Sequence, residues 1–249
     1  MTPPVVPPAD GPIEVRELSA GHDVELLHRG YAEILLPSFP PDQLEGVDVI
    51  GEGFASGTTH VGVAVADGRL LGMAVADLFD GVLLLSYAAA RPGLRGGGVG
   101  SALLTGLLPR WRDRTGAEVV LAEVEDPRRH PVGEFGDPQA RLRFYQRLGF
   151  GLLPFPFFQP RIRPESRRQH GMLLMVQTTG VPVRASLVRT FVTDYFAGAE
   201  GGTADDDPEY AALLALLDRQ PAESTPLGVE DLHTVPLLAP AGEAAEPTG

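Results

Sequence analysis

Apolar and polar residues alternate or cluster along the first half of the chain in patterns that predict β-strands. Residues 13–18 alternate apolar and charged side chains, which is typical of a half-buried strand. Residues 60–66 and 70–76 are apolar runs on either side of Asp67-Gly68, and an Asp-Gly pair in that position predicts a β-hairpin. The short, mainly apolar run 82–90 predicts a buried strand.

The second half of the chain mixes strands and helices. Strand patterns recur at residues 118–125, 150–158 and 171–177, and we expect Pro154 and Pro156 to break the second of them. Pro109 should kink or shorten the helix in which it lies. Apolar residues three and four positions apart predict helices at residues 24–35, 99–115, 138–148, 181–198 and 208–217.

Three segments lack such periodicity. Residues 1–12 hold five prolines and predict a disordered tail. Residues 45–58 carry four glycines and predict a mobile loop. Together these patterns indicate an α/β protein with a helical extension over residues 179–220 and a disordered tail over 221–249.

A glycine-rich turn, Arg95-Gly96-Gly97-Gly98-Val99-Gly100, joins the strand 82–90 to the helix that follows it. The N–H groups at a helix N-terminus favour an anion such as phosphate, and glycine lets that anion approach the backbone closely. A dinucleotide fingerprint would need a third glycine where Leu103 stands, and a P-loop would need a lysine, which the chain lacks altogether. A different phosphate site and a plain tight turn remain as interpretations.

Two segments together resemble the GNAT superfamily of acyl-CoA-dependent N-acyltransferases. The turn is similar to the Arg-x-x-Gly-x-Gly pyrophosphate loop of that superfamily, and residues 139–150 are similar to its helix that closes with Tyr-x-x-Leu-Gly-Phe. Both occur in the family's order, with a strand between them. The resemblance covers roughly residues 13–178. It implies a central mixed, mostly antiparallel sheet with splayed central strands and flanking helices, to which the helical extension is added.

The resemblance also implies which residues hold acetyl-CoA, the co-substrate. Backbone groups at the end of the strand would bind the pantetheine arm, and the turn with the start of the helix would bind the pyrophosphate. In the alternative interpretation the alanines of this set are core residues and the arginine is a solvated loop residue. The expected donor-binding residues are Ala88, Ala89, Ala90, Arg95, Gly96, Gly97, Gly98, Gly100 and Ser101.

Tyr145 occupies the position of the family's usual general acid. A phenol with a pKa of about 10 is protonated at neutral pH, and the thiolate of CoA resembles that of cysteine, with a pKa of about 8.5. Proton transfer from Tyr145 to the departing thiolate is therefore feasible. The alternative is that Tyr145 is an ordinary aromatic residue packed beside Phe144.

Glu123 and Glu125 alternate on the predicted strand 118–125 and so share one face. Either carboxylate could accept the proton of an attacking amine, directly or through water, and two neighbouring carboxylates would raise the pKa of one of them. Glu123 is the first choice because it lies deeper in the strand. The alternative is a polar face near the strand end. Some family members need no dedicated base, so the loss of both acids need not abolish activity.

Composition narrows the function further. The absence of cysteine excludes disulfides, thiolate catalysis and zinc–thiolate sites, and the six scattered histidines predict no metal centre. A net charge of −13 argues against nonspecific nucleic-acid binding. The charge suits a cationic substrate, but it also serves solubility. The chain has no apolar run of membrane-spanning length and no recognisable export signal, so we expect a cytoplasmic protein that does not bind membranes.

The resulting hypothesis is an acetyl-CoA-dependent N-acetyltransferase that modifies a small amine by direct attack in a ternary complex. One alternative is a noncatalytic acyl-CoA-binding regulatory module of the same fold. Another is a protein or peptide N-acetyltransferase. The acyl group could also be longer than acetyl, and the extra helices would pack on the domain or pair two subunits into a homodimer.

Overall fold

The computed structural model describes residues 11–94, 96–202 and 207–237. Residues 1–10 of the expected N-terminal tail and residues 238–249 of the expected C-terminal tail lie outside these described residues. In chain order the elements are β1 (Glu14–Glu17), α1 (Val24–Gly30) continued by a π-helix (Tyr31–Leu35), a 3-10 turn (Pro41–Gln43), α2 (Val47–Ser56), β2 (Thr59–Ala66), β3 (Arg69–Phe79), β4 (Val82–Ala90), α3 (Val99–Thr115), β5 (Val119–Glu125), α4 (Pro138–Arg147), β6 (Phe150–Gln159), β7 (Gln169–Gln177), β8 (Val183–Arg184), α5 (Ala185–Glu200), α6 (Pro208–Leu217), β9 (Glu223–Ser224) and a 3-10 helix (Val229–Thr234).

Seven strands form one sheet with the hydrogen-bonded order β1-β2-β3-β4-β5-β7-β6. The pairs β1–β2, β2–β3 and β3–β4 are antiparallel, whereas β4 and β5 run parallel. This confirms the expected mixed, mostly antiparallel sheet with flanking helices. The chain divides into two compact units: the first holds the residues up to Ala122 together with Gln177–Thr179, and the second holds Glu123–Val176 and the residues from Gly180 onward.

The hairpin between β2 and β3 turns where the sequence predicts it. Asp67 and Gly68 have φ angles of 49° and 72°, so both central residues are left-handed, as a two-residue turn of this kind requires. Its geometry matches the right-handed twist of the flanking strands and fixes their register.

The two faces of the first unit's sheet pack against different helices. Val61 and Val63 belong to a buried core that also contains Ile34 and Ile50 from the helical layer of α1, the π-helix and α2. Gly62 lies between those valines and faces α3, because a Cβ atom added at Gly62 would lie 2.5 Å from the Leu107 side chain. The side-chain alternation of β2 therefore places α3 on the opposite face from α1 and α2.

The helix α2 replaces the mobile loop expected at residues 45–58, so that prediction is wrong. Its side chains Ile50 and Phe54 are buried, and this apolar burial outweighs the low helix propensity of glycine. Gly57 ends the helix with a φ of 82°, and a side chain at Gly53 would collide with Thr59. Gly57 therefore serves as a cap, and Gly53 allows close packing.

The structure also bears on two expectations about proline. α3 continues through Pro109 to Thr115, so the helix is not shortened there, and the alternative of a kink stays a prediction. The expected break in β6 is wrong. β6 runs without a break through Pro154 and Pro156. β6 is the last strand in the sheet order, so on one of its sides no other described strand of the sheet receives its N–H groups, and proline is tolerated there.

In the second unit, α5 and α6 pack through an apolar face. Phe196 lies at the centre, with its ring 5.3 Å from that of Phe158 on β6 and 5.0 Å from that of Tyr210 on α6. The buried residues of the two helices are Leu187, Val188, Phe191, Val192, Phe196, Tyr210, Leu213 and Leu217. The expected extension is thus integrated into the second unit.

Part of the tail expected to be disordered has regular structure. Glu223–Ser224 forms β9, which pairs with β8, and Leu227 forms an antiparallel bridge with Leu152 of β6. The 3-10 helix Val229–Thr234 follows. None of the described helices is both long and apolar enough to cross a membrane.

Candidate functional site

The connection between β4 and α3 needs glycine at specific points. Gly96 and Gly98 have φ angles of 84° and 79°, a backbone region that other L-residues rarely adopt. The turn is closed by a hydrogen bond of 3.3 Å from the Gly97 N–H to the Leu94 carbonyl. Gly96, Gly97 and Gly98 are exposed, so a ligand can approach their backbone. Arg95, which the sequence adds to this site, lies outside the described residues.

The N-terminus of α3 has no side-chain cap among the described residues. Gly98 is the N-cap residue, and its carbonyl accepts the N–H of Ala102 at 2.9 Å. The preceding N–H groups of Val99, Gly100 and Ser101 have no carbonyl of their own helix to bind. These donors, together with the positive end of the helix dipole, favour an anion in front of α3.

Ala88, Ala89 and Ala90 form the half-buried end of β4. They pair with Ala74, Met73 and Gly72 of β3, and within the first unit the parallel ladder with β5 runs from Val82 to Leu85. The expected alanines and glycines are thus brought together by one strand–turn–helix connection.

A β-bulge lies just before the alanine segment. The register of β3 and β4 shifts there, and Ser86 donates a short hydrogen bond to Asp77. Thr59 donates to the same carboxyl group at 2.6 Å. Burial raises the pKa of Asp77, and the two hydrogen bonds partly oppose that rise.

Tyrosine hydroxyls tie the connection between α1 and α2 to β4. Tyr31 donates to the Glu45 carbonyl at 2.9 Å, and the Glu45 N–H donates to the Tyr87 hydroxyl at 3.0 Å. The Phe39 ring packs edge-on against Tyr87 at 5.2 Å. Our sequence reasoning missed this network, because the residues are far apart in the chain and belong to no motif.

Tyr145 lies on α4, which begins as the sequence predicts. Asp137 caps the helix by accepting the N–H groups of Gln139 and Ala140. Tyr145 is 7% exposed, and its ring packs edge-on against the rings of Phe144 and Phe150, at centroid distances of 5.3 and 5.2 Å. Burial raises its pKa above 10.0, although the positive charge of Arg141 partly opposes that rise, so the phenol stays protonated at physiological pH.

Glu123 and Glu125, the two candidate bases, have different partners in the second unit. Glu123 Oε2 accepts hydrogen bonds from Gln159 Nε2 at 2.5 Å and from the Tyr195 hydroxyl at 3.3 Å. Glu125 Oε2 instead forms an ion pair with Arg141 at 3.2 Å. Sequence reasoning missed Gln159 and Tyr195, although a hydroxyl on the otherwise apolar face of α5 was a signal that could have been followed.

Asp126, which follows β5, has a structural role. It is 2% exposed and forms an ion pair with Arg128 at 2.6 Å. Arg128 also donates to the carbonyls of Leu232 and Val235 and so holds the C-terminal segment. Within the described parts of the chain, no group of three or more histidines and acids is arranged to hold a metal ion.

Comparison with known proteins identifies a family. Residues 28–150 match the family model described as acetyltransferase (GNAT) family. A GNAT-family structure from Bacteroides thetaiotaomicron matches with a TM-score of 0.51 and 22% identity, over 82% of this chain and 95% of that chain, which shows a shared fold. The comparison with curated proteins gives no match.

Two further solved structures have lower scores. The ribosomal-protein-S18-alanine N-acetyltransferase from Escherichia coli has a TM-score of 0.48 and 16% identity, over 67% of this chain and 94% of that chain. A GNAT-family acetyltransferase from Elizabethkingia anophelis with acetyl-CoA bound has a TM-score of 0.46 and 14% identity, over 67% of this chain and 97% of that chain.

Proposed function

Because this chain belongs to the acetyltransferase (GNAT) family and is an acetyl-CoA-dependent N-acetyltransferase, we propose that its acceptor is the amine of a small molecule. The observation that carries this proposal is the ordered layer over the first unit's sheet, where Tyr31, Glu45 and Tyr87 tie the α1–α2 connection to β4. The resemblance to the family implies that the segment between the first helices and β2, which begins at Glu45, lines the acceptor site. A segment fixed in this way bounds the site and favours a compact acceptor over an extended peptide.

The acyl donor is held chiefly by backbone groups in this proposal. The pyrophosphate binds the N–H groups of Gly96–Gly98 and of the first turn of α3, including Gly100 and Ser101, and Arg95 adds a positive charge. Ala88, Ala89 and Ala90 offer their backbone to the pantetheine arm. The support is the exposed turn with two left-handed glycines and the helix start without a side-chain cap.

The reaction follows from the side chains of the second unit. The neutral amine attacks the carbonyl carbon of the thioester, the C–S bond breaks, and CoA leaves as a thiolate. Glu123 accepts the proton that the nitrogen loses, directly or through water, and the Tyr145 hydroxyl gives its proton to the sulfur. An N–H group near Ala90 stabilises the negative charge on the carbonyl oxygen. Exchange with solvent then restores both side chains.

Glu123 is a better candidate for the base than Glu125. Glu125 neutralises Arg141, so protonating Glu125 would break an ion pair. Two donors to Glu123, Gln159 and Tyr195, are uncharged, so protonating Glu123 breaks no ion pair with either of them.

Calorimetric titration and an acceptor screen test the proposal. We expect the protein to bind acetyl-CoA but neither NAD nor ATP. It is then incubated with acetyl-CoA and either small amines, among them polyamines and aminocyclitols, or peptides with free N-termini, and mass spectrometry detects the acetylated product. A higher kcat/KM for a small amine than for every peptide supports the proposal. Preference for a peptide would indicate a protein acetyltransferase, and binding without turnover would indicate a regulatory module.

A further inference from the structure

We propose that Tyr195 on α5 is a positioning residue for Glu123, so that the C-terminal extension forms part of the catalytic apparatus. This inference rests on the proposed function, because it requires Glu123 to be the group that accepts the amine proton. The family resemblance ends near residue 178 and does not include Tyr195. The juxtaposition of α5 and the end of β5 carries the argument.

Two donors meet at one oxygen of the Glu123 carboxylate. Oε2 accepts the Tyr195 hydroxyl at 3.3 Å and the Gln159 amide at 2.5 Å. A carboxylate on a flexible Glu side chain can rotate about its terminal torsion, which has no sharp minima. Two donors at one oxygen restrict that rotation and fix the direction of the carboxylate. A base held in one direction loses less entropy when it receives a proton.

The ring of Tyr195 is itself held by its neighbours. It stacks on Phe191, with ring centroids 5.5 Å apart and an angle of 24° between the planes. Phe196 packs against it edge-on at 6.3 Å. Phenylalanine could make the same ring contacts, so the hydroxyl is the feature that packing leaves unexplained.

The end of α5 is anchored by a cluster of charges around Arg168. Arg168 donates to Glu200, the last residue of α5, at 2.9 and 2.7 Å, and also pairs with Glu209 at 3.1 Å and with Asp207. The Glu200 side chain is only 3% exposed. Hydrogen bonds from Arg168 help to lower the pKa of Glu200 although burial opposes this, so the carboxylate stays charged. Glu200 lies just over one helical turn beyond Tyr195, so its contacts with Arg168 hold the end of α5 that carries Tyr195 in place.

The test removes the hydroxyl and keeps the ring. We expect Tyr195→Phe to lower kcat by about tenfold, as the loss of a hydrogen bond to a charged group does, while the KM for acetyl-CoA stays unchanged. Losing a donor disfavours the carboxylate, so the acid limb of the kcat/KM profile should move to higher pH. Gln159→Leu removes the other donor and should move the limb in the same direction. Tyr210→Phe, which removes a hydroxyl from the same aromatic cluster, is the matched control.

A double-mutant cycle asks whether Tyr195 acts through Glu123. If it does, Tyr195→Phe should have no further effect in a Glu123→Gln background. A tenfold loss that persists in that background would contradict the inference, as would a lower kcat with an unshifted pH profile. Circular dichroism and thermal unfolding confirm that each variant is folded.

A measurement without turnover separates this inference from the proposed function. The carboxyl carbon of Glu123 is followed by NMR during a pH titration and assigned with Glu123→Gln. We expect Tyr195→Phe to raise the pKa of Glu123. If the pKa of Glu123 rises in Tyr195→Phe but the kinetics do not change, the hydrogen bond exists, but Glu123 is not the base and the inference is refuted. If the pKa of Glu123 does not change while the wild type still acetylates its acceptor, the inference is refuted and the proposed function is retained.

Discussion

α3 and α4 begin in chemically different ways. Asp137 caps α4 with its side chain, whereas Gly98 begins α3 with no side-chain cap among the described residues. A cap satisfies the first N–H groups within the chain, and a bare helix start leaves them for a ligand. The capped helix instead carries a functional side chain, Tyr145.

The same contrast extends to the two units. The candidate groups of the first unit are mainly backbone N–H and carbonyl groups, while those of the second unit are side chains. Changes in the second unit should therefore alter the rate of acetyl transfer, and changes at the glycine turn should alter the affinity for acetyl-CoA. Four experiments test this difference between the two units.

Glu123→Gln should have the largest effect. We expect kcat to fall by about 10³-fold with the Kd for acetyl-CoA unchanged, because a lost general base affects only proton transfer. Glu125→Gln, a matched change two residues away, should alter kcat much less because Glu125 is engaged by Arg141. Equal losses for the two variants would remove the distinction between them, and full activity in both would mean that no dedicated base is needed.

Tyr145→Phe should have the next largest effect. We expect kcat to fall by about 10²-fold, since the thiolate loses its proton donor while the ring packing against Phe144 and Phe150 is kept. The Kd for acetyl-CoA, measured by calorimetry, should stay the same. A large change in this Kd with little change in kcat would show that Tyr145 binds the donor rather than protonating it.

Gly98→Ala should raise the Kd for acetyl-CoA by about tenfold. A left-handed backbone costs a non-glycine residue about 1–2 kcal/mol, and relaxing it would turn the N–H groups away from the pyrophosphate. Gly116→Ala is the control at the other end of α3. Gly116 has a φ of 70°, and a side chain at either position meets no atom within 4 Å. The two variants should lose similar stability in urea unfolding, but only Gly98→Ala should weaken binding.

His60 should give the smallest effect, on stability and not on rate. Burial lowers its pKa below 6.5, against the opposing charge of Asp77, and Arg114 donates to Nδ1 at 3.2 Å. The unfolded chain thus takes up this proton more readily, so the free energy of unfolding should decrease as the pH falls through about 6.5 toward the folded pKa. His60→Phe should flatten that decrease. If His60→Phe instead flattened the pH dependence of kcat and left the free energy of unfolding unchanged, the role of His60 in stability would be contradicted.

Local signals made much of the fold predictable from sequence. The hairpin at Asp67-Gly68 and the cap at Asp137 depend on residues adjacent in the chain, so the sequence carries them directly. The glycines around α2 carried an ambiguous signal. Glycine lowers helix propensity, yet Gly53 is there because Thr59 lies against it, and no local pattern contains that contact.

The candidate site was predictable only in part, for the same reason. Motifs located the glycine turn and Tyr145, because each lies in one continuous segment. Tyr195 and Glu123 are 72 residues apart, and their hydrogen bond depends on how α5 packs in the second unit. The ion pair of Glu125 with Arg141 also joins two elements, so the sequence could not rank the two carboxylates by their surroundings.

The two prolines of β6 have a consequence for self-association. A strand at the margin of a sheet can recruit a strand of another molecule and start aggregation. Pro154 and Pro156 remove two N–H donors from this margin, and the bridge between Leu152 and Leu227 occupies a further position. An incoming strand would find an interrupted row of partners, which protects the protein from edge-to-edge assembly at high concentration.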